Sequence, residues 1–148
     1  MKTSYNKLII LILIFWSHQY LSAQNWLTDF ETAKKIATDG NKKIVLVFSG
    51  SDWCAPCIKL EDKIWKSKVF QQYAQEHYVM LRADFPRKKR NKLPKEQQEK
   101  NNKLAEMYNP DGYFPYVVIL NAEGKVLGTT GFDSHKTPQD YIQLINAM

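Results

Sequence analysis

Cysteine is scarce in this chain: two in 148 residues, Cys54 and Cys57, three positions apart in the stretch SDWCAPCIKL. So few exclude the several-bridge framework on which small exported domains with weak cores depend. A bridge across two intervening residues closes almost no loop, so it constrains the unfolded chain very little and makes a poor staple. Histidine is nearly as rare. Beyond the leader-like segment described next only His77 and His135 occur, neither paired in sequence with a second histidine or a cysteine. The two further ligands that a four-coordinate zinc site needs are therefore not in evidence, and both histidines read as structural or solvent-facing.

A long apolar run is missing too. The longest, Leu8 to Trp16, is too short to cross a hydrocarbon layer about 30 Å thick. Lys2 and Lys7 precede it and the small residues Ser22 and Ala23 follow it, the pattern of a secretory signal cut after Ala23. The alternative, an uncleaved membrane anchor, is weakened by Ser17, His18 and Gln19, which end the run in polar groups. No cysteine near the cut indicates a lipid anchor. Removing residues 1–23 takes away two lysines and no acid, lowering the formal charge from +6 to +4, a mildly basic balance.

What is present suits one compact domain without internal repeats: 44% of residues are hydrophobic and 24% charged. Asn25 to Asn41 reads as a helix, with Thr28 and Glu31 as a capping box, Phe30, Ala33, Ile36 and Ala37 on one face, and Asp39-Gly40-Asn41 as the stop. Ile44 to Phe48 is apolar without alternation, as in a strand covered on both faces. From Cys57 helical spacing runs through Ile58, Ile64 and Trp65, and a second helix follows, capped by Ser67, with Val69, Phe70, Tyr73 and Ala74 on one side. Tyr78 to Phe85 reads as another buried strand. Strand, helix, strand implies a parallel, right-handed crossover. Pro94 opens a helix whose first turns are polar and whose far end docks through Leu104, Ala105, Met107 and Tyr108, so it is expected to protrude. Tyr116 to Leu120, the turn NAEG and KVLGTTG form a hairpin, and a last helix starts at Thr137 as cap and Pro138.

That order places Cys54 where a central strand ends and a helix begins. Unpaired N–H groups and the partial positive charge of a helix start favour a thiolate, which lowers a cysteine pKa below the ordinary thiol range. Cys54, on the loop side, is expected to be the exposed attacker. Cys57, one turn into the helix, is expected to be shielded and to resolve a mixed disulfide.

WCAPC between a buried strand and a helix, with YFPYVVIL later, resembles the thioredoxin superfamily, and the wider pattern from Trp26 onward is similar to exported thioredoxin-like proteins and the C-terminal domain of the reductase DsbD. The resemblance runs from about Asn25 to the end. It implies a thioredoxin fold of class α/β, a mixed sheet flanked by helices. The domain would span residues 24–148 after a signal peptide over 1–23, with a basic helical insertion around 86–108. It further implies that Pro115 is the cis-proline facing the dithiol, that Phe114 offers backbone groups to an extended substrate segment, and that Trp53 and Gly131 are the flanking aromatic and the third substrate-facing loop. Two departures stand out: Phe48 occupies the place of a buried proton-transfer acid, so proton transfer must use water or another group, Glu61, a turn past Cys57, being one candidate, and the segment before Pro115 is long and basic. Arg87, Lys88, Lys89, Arg90, Lys92 and Lys95 in that segment read as a solvated loop and helix end. Export and the absence of interleaved stacking aromatics argue against nucleic acid, and an acidic partner or lipid head group is the remaining option.

The expected activity is that of an exported, periplasmic or secreted thiol:disulfide oxidoreductase reducing protein disulfides through Cys54 and Cys57. The expected enzyme is a monomer with no cofactor and no metal, re-reduced by a membrane electron donor. Ala55-Pro56 resembles the dipeptide of reducing relatives more than that of strong oxidants. The alternatives are a dithiol oxidase or isomerase, or a non-catalytic binding or chaperone module, against which the intact CxxC argues.

Overall fold

A computed structural model describes residues 25–148. The predicted signal segment and its cleavage site lie outside the described residues. The order is α1 (Phe30–Gly40), β1 (Lys43–Ser49), α2 (Ala55–Leu60) continuing into a π-helical turn (Glu61–Trp65), α3 (Lys68–His77), β2 (Tyr78–Asp84), α4 (Lys95–Tyr108), β3 (Tyr116–Leu120), β4 (Val126–Thr130) and α5 (Pro138–Ala147). The strands lie β2-β1-β3-β4. β1 pairs in parallel with β2, Ser49 opposite Asp84, and antiparallel with β3, Ile44 opposite Leu120.

The unbroken apolar run of β1 follows from its central place. Val45 and Val47 point to one face, where they pack with Leu60, Trp65, Phe70 and Tyr141. Ile44, Leu46 and Phe48 point to the other and pack with Ala33, Ala37 and Leu104. α1 and α4 therefore cover one face and α2, α3 and α5 the opposite one, the thioredoxin fold that the resemblance implied.

Local differences from the sequence reading have local causes. The cap of α1 is Asp29, not Thr28: its carboxylate accepts from the Thr32 N–H (2.9 Å) and hydroxyl (2.8 Å). The Thr28 carbonyl instead accepts from the Gln97 side chain of α4 at 2.9 Å. The N–H of Thr32, with further help from Lys100, holds the Asp29 carboxyl below the usual carboxylate range. Asp29→Ala is expected to cost about 1 kcal/mol of stability, as loss of a cap does, while Thr28→Ala leaves the thermal midpoint near wild type. A melt of both variants in which Thr28 proved the costlier would overturn the assignment. Gly40 stays helical, and the left-handed closing residue is Asn41 (φ 48°, ψ 50°).

The π turn at Glu61–Trp65 rotates the helical phase. Ile64 and Trp65 are buried while Ile58 turns outward, and Ile36 and Val69 are also about two-fifths exposed, contrary to the spacing. α4 does not protrude. Asn101, buried, donates to the Asp84 carbonyl at the end of β2 (2.8 Å), and Tyr108 donates to the Gly124 carbonyl (2.8 Å), so polar groups along the helix dock it where apolar ones are lacking. Ser67 caps α3, and Thr137 with Asp140 forms a reciprocal capping box at α5.

Candidate active site

β1 ends at Ser49, and the chain turns at once. The Gly50 carbonyl accepts from the N–H groups of both Trp53 (3.2 Å) and Cys54 (2.9 Å), which sets Cys54 as the N-cap of α2. There its Sγ accepts from the Cys57 N–H at 3.3 Å, and the two sulfurs are joined in a disulfide with 5.2 Å between Cα atoms. The dithiol is thus in its oxidised form at a helix start.

One expectation is corrected. Cys54 is no more exposed than Cys57; each is 4% accessible. In the bridge the Cys54 sulfur lies against the first turn of the helix, accepting from the Cys57 N–H.

The Phe114–Pro115 peptide is cis. Phe114 precedes β3, so its backbone stands outside the strand ladder. Its ring meets Trp53 edge to face at 5.4 Å and Phe85 at 5.5 Å. Trp53 is fixed on three further sides: its indole N–H donates to the Phe85 carbonyl at 2.7 Å, the Arg87 guanidinium lies 3.5 Å over its ring, and Gly50 lies against its edge. Gly131 lies against the Pro115 carbonyl. The buried Tyr141 hydroxyl donates to the Gly131 carbonyl (2.8 Å) and accepts from the Asp133 N–H (2.9 Å), tying that loop to α5.

Phe48 is fully buried against Tyr116, so no acid stands at that point of β1. Glu61 is bound to Arg82, whose guanidinium lies 3.9 Å over the Trp26 ring. Glu61, Arg82, Ser49, Ser51 and Cys57 line one recess of about 360 Å³. His77 stacks on Tyr73 and His135 faces solvent beside Asp133.

The family model described as Thioredoxin-like matches residues 25–122, well over half of the chain. The chain belongs to the thioredoxin-like family. This thioredoxin-like chain is 45% identical over 93 residues to the disulfide bond reductase DsbH of Chlamydia pneumoniae, a match covering 63% of this chain and 54% of that protein, about half of that relative's length. Among solved structures, DsbH oxidoreductase superposes with a TM-score of 0.76 at 35% identity, covering 85% of this chain and 84% of that one. The oxidised C-terminal domain of DsbD from Neisseria meningitidis gives 0.55 at 16% identity, over 79% and 90% of the two chains, a likeness of fold.

Within this thioredoxin-like site, sequence reasoning missed Gly50, Asp52 and Arg82. Asp52 accepts from the N–H groups of Arg87 (2.9 Å) and Lys88 (3.0 Å) and from the Asn91 side chain (2.8 Å). The Arg87 N–H above all, then the Asn91 side chain and Lys88, keeps its carboxyl below the usual range. Asp84 pins the same turn from the other side, accepting from the Ser51 N–H (2.9 Å) and hydroxyl (2.6 Å). A Cβ on Gly50 would lie 2.4 Å from the Trp53 ring. Gly50→Ala therefore forces Trp53 off Phe114 and Arg87. The expected result is a loss of about 1–3 kcal/mol, typical of overpacking, with a changed near-ultraviolet dichroism spectrum; an unchanged spectrum and melt would refute the crowding.

Proposed function

We propose that this chain is an exported thiol:disulfide oxidoreductase that works as a reductase of protein disulfides. The observation that carries the reading is the Cys54–Cys57 bridge at the start of α2. The 45% identity to a protein named a disulfide bond reductase supports the direction. In the reduced enzyme the Cys54 thiolate attacks one sulfur of a substrate disulfide; that bond breaks, a Cys54–substrate disulfide forms, and the leaving sulfur takes a proton. Cys57, deprotonated, then attacks the Cys54 sulfur and expels the second substrate thiol. Two electrons pass to the substrate and the enzyme is left bridged. A dithiol donor held at the membrane restores it. Trp53, Phe114, Pro115 and Gly131 form the surface on which an extended substrate segment lies. Phe114 contributes backbone groups, the mode by which one site accepts many sequences.

The Glu61–Arg82 pair lines the same recess as Cys57 and is a candidate, beside water, for proton movement at the resolving sulfur. Equilibration of the purified protein with glutathione tests the direction. A potential in the range of about −200 to −270 mV is expected; one near −120 mV, that of a strong oxidant, would overturn it.

A further inference from the structure

The basic segment between β2 and α4 is not remote from the dithiol. It is fastened to it. Asp52, two residues before Cys54, holds the Arg87 and Lys88 amides and the Asn91 side chain, and Arg87 lies flat on Trp53. The result is a loop carrying Arg87, Lys88, Lys89, Arg90 and Lys92, all exposed, at the rim of the Trp53–Phe114 surface.

These cations are not neutralised locally. Among the described residues no ion pair within 4.0 Å joins Arg87, Lys88, Lys89, Arg90 or Lys92 to a carboxylate. The neighbouring acids are engaged elsewhere: Asp84 with Ser51, Glu96 with Lys100, and Glu99 with Lys95. Asp52 spends its carboxylate on two backbone amides and an amide side chain, which positions the loop; a single such charge leaves most of the loop's positive field in place. Clustered charge of one sign beside a reaction site raises the local concentration of oppositely charged partners.

We infer that the Arg87–Lys92 loop is a docking surface for an acidic segment of the protein whose disulfide is reduced, lying close to the substrate cysteine in its chain. The identity of the partner rests on the reductase reading; the docking itself does not. A protein segment fits better than the alternatives. Arg87 occupies the face of Trp53 that a base would need for stacking. The apolar side chains of this segment, Phe85 and Leu93, are both half-buried, which leaves little to insert among lipids.

The test has a binding arm and a turnover arm. In the first, fluorescent cysteine-free peptides, glutamate-rich, serine-rich or lysine-rich, are titrated with the oxidised protein and with a variant combining Lys88→Ser, Lys89→Ser, Arg90→Ser and Lys92→Ser. The glutamate peptide is expected to bind about tenfold tighter than the serine peptide at low salt. The preference should shrink as the screening length falls from about 10 Å at 0.1 M salt to about 3 Å at 1 M, and should vanish in the variant. Equal binding of the glutamate and serine peptides, a preference untouched in the variant, or binding of anionic vesicles without any peptide preference would each overturn the inference. In the second arm, disulfide-bridged peptides with the same flanks are reduced by both proteins. A higher kcat/KM for the acidic substrate, lost in the variant, supports it, and equal values overturn it. If no peptide is reduced while the glutamate preference in binding persists, docking stands and the reductase reading falls. All four substituted side chains are exposed, so a melt of the variant matching wild type is expected and a second, charge-reversed variant, Lys89→Glu with Arg90→Glu, should move the preference toward the lysine peptide.

Discussion

Cys54→Ser is expected to reduce insulin no faster than the uncatalysed reagent mixture, a loss of at least about a thousandfold, as removal of a nucleophile generally is. Cys57→Ser behaves differently. It retains attack and stops after it, so it accumulates mixed disulfides that survive on a non-reducing gel and disappear with added reductant. The contrast is needed because burial does not tell the two sulfurs apart: both are 4% accessible in the bridged state. Their place in the chain does. Cys54 caps α2 and sits next to Trp53 and the loop, whereas Cys57 lies in the first turn and lines the recess shared with Glu61 and Arg82. Once the bridge opens, the sulfur at the cap has the helix amides in front of it and is next in the chain to Trp53, whose ring meets Phe114. A thiolate rather than a thiol is the attacking species, so the better stabilised sulfur is the attacker. If Cys57→Ser lost attack and Cys54→Ser accumulated the mixed disulfides, the roles would be reversed and the substrate surface would have to be redrawn around the recess.

The parts of the molecule legible in the sequence are those set by neighbours in the chain. The strand β1 announces itself because both of its faces are buried, so five apolar residues stand in a row; α5 does so through Thr137, Pro138 and Asp140 within one turn. Cys54 and Cys57 are readable from spacing and from the strand before them. Pro115, Phe114 and Gly131 enter as candidates only through resemblance, since a proline or glycine at a strand end has ordinary explanations. What stayed hidden depends on partners far away in sequence and on backbone groups, which carry no signature. Asp52 looks like any loop acid until Arg87, Lys88 and Asn91 fold onto it. Asn101 looks like part of a polar helix face until the Asp84 carbonyl is found above it, which is why α4 reads as protruding. Thr28 and Asp29 are both good caps, and only the folded backbone, which turns the Thr32 N–H onto the Asp29 carboxylate, separates them. The π turn is invisible because the side chains Glu61 to Trp65 fit an ordinary helix equally well.

That turn is also where the fold is most vulnerable. Trp65 ends it, 1% exposed, with Phe70 at 4.6 Å, Tyr141 at 5.7 Å and Trp26 at 6.4 Å between ring centres. Trp65→Ala removes the largest fully buried side chain and leaves a cavity between α2, α3 and α5 that rigid neighbours fill only in part, at a cost of about 3–5 kcal/mol. Domains of this size are stable by only about 5–15 kcal/mol, so the loss is a large share of the total. With a urea slope of about 2 kcal/mol/M the unfolding midpoint should fall by about 2 M. Trp65→Phe, which keeps a ring against Phe70 and Tyr141, should lose distinctly less. The damage should also reach the dithiol by a traceable route: Trp65 packs on Trp26, Trp26 carries Arg82, and Arg82 holds Glu61 in the recess beside Cys57. At temperatures where the alanine variant is still folded, mixed disulfides should therefore form at a near-normal rate but resolve more slowly. A midpoint shift below about 0.5 M would mean that the cluster repacks around the gap, and the link from this core to the resolving sulfur would then be too soft to transmit anything.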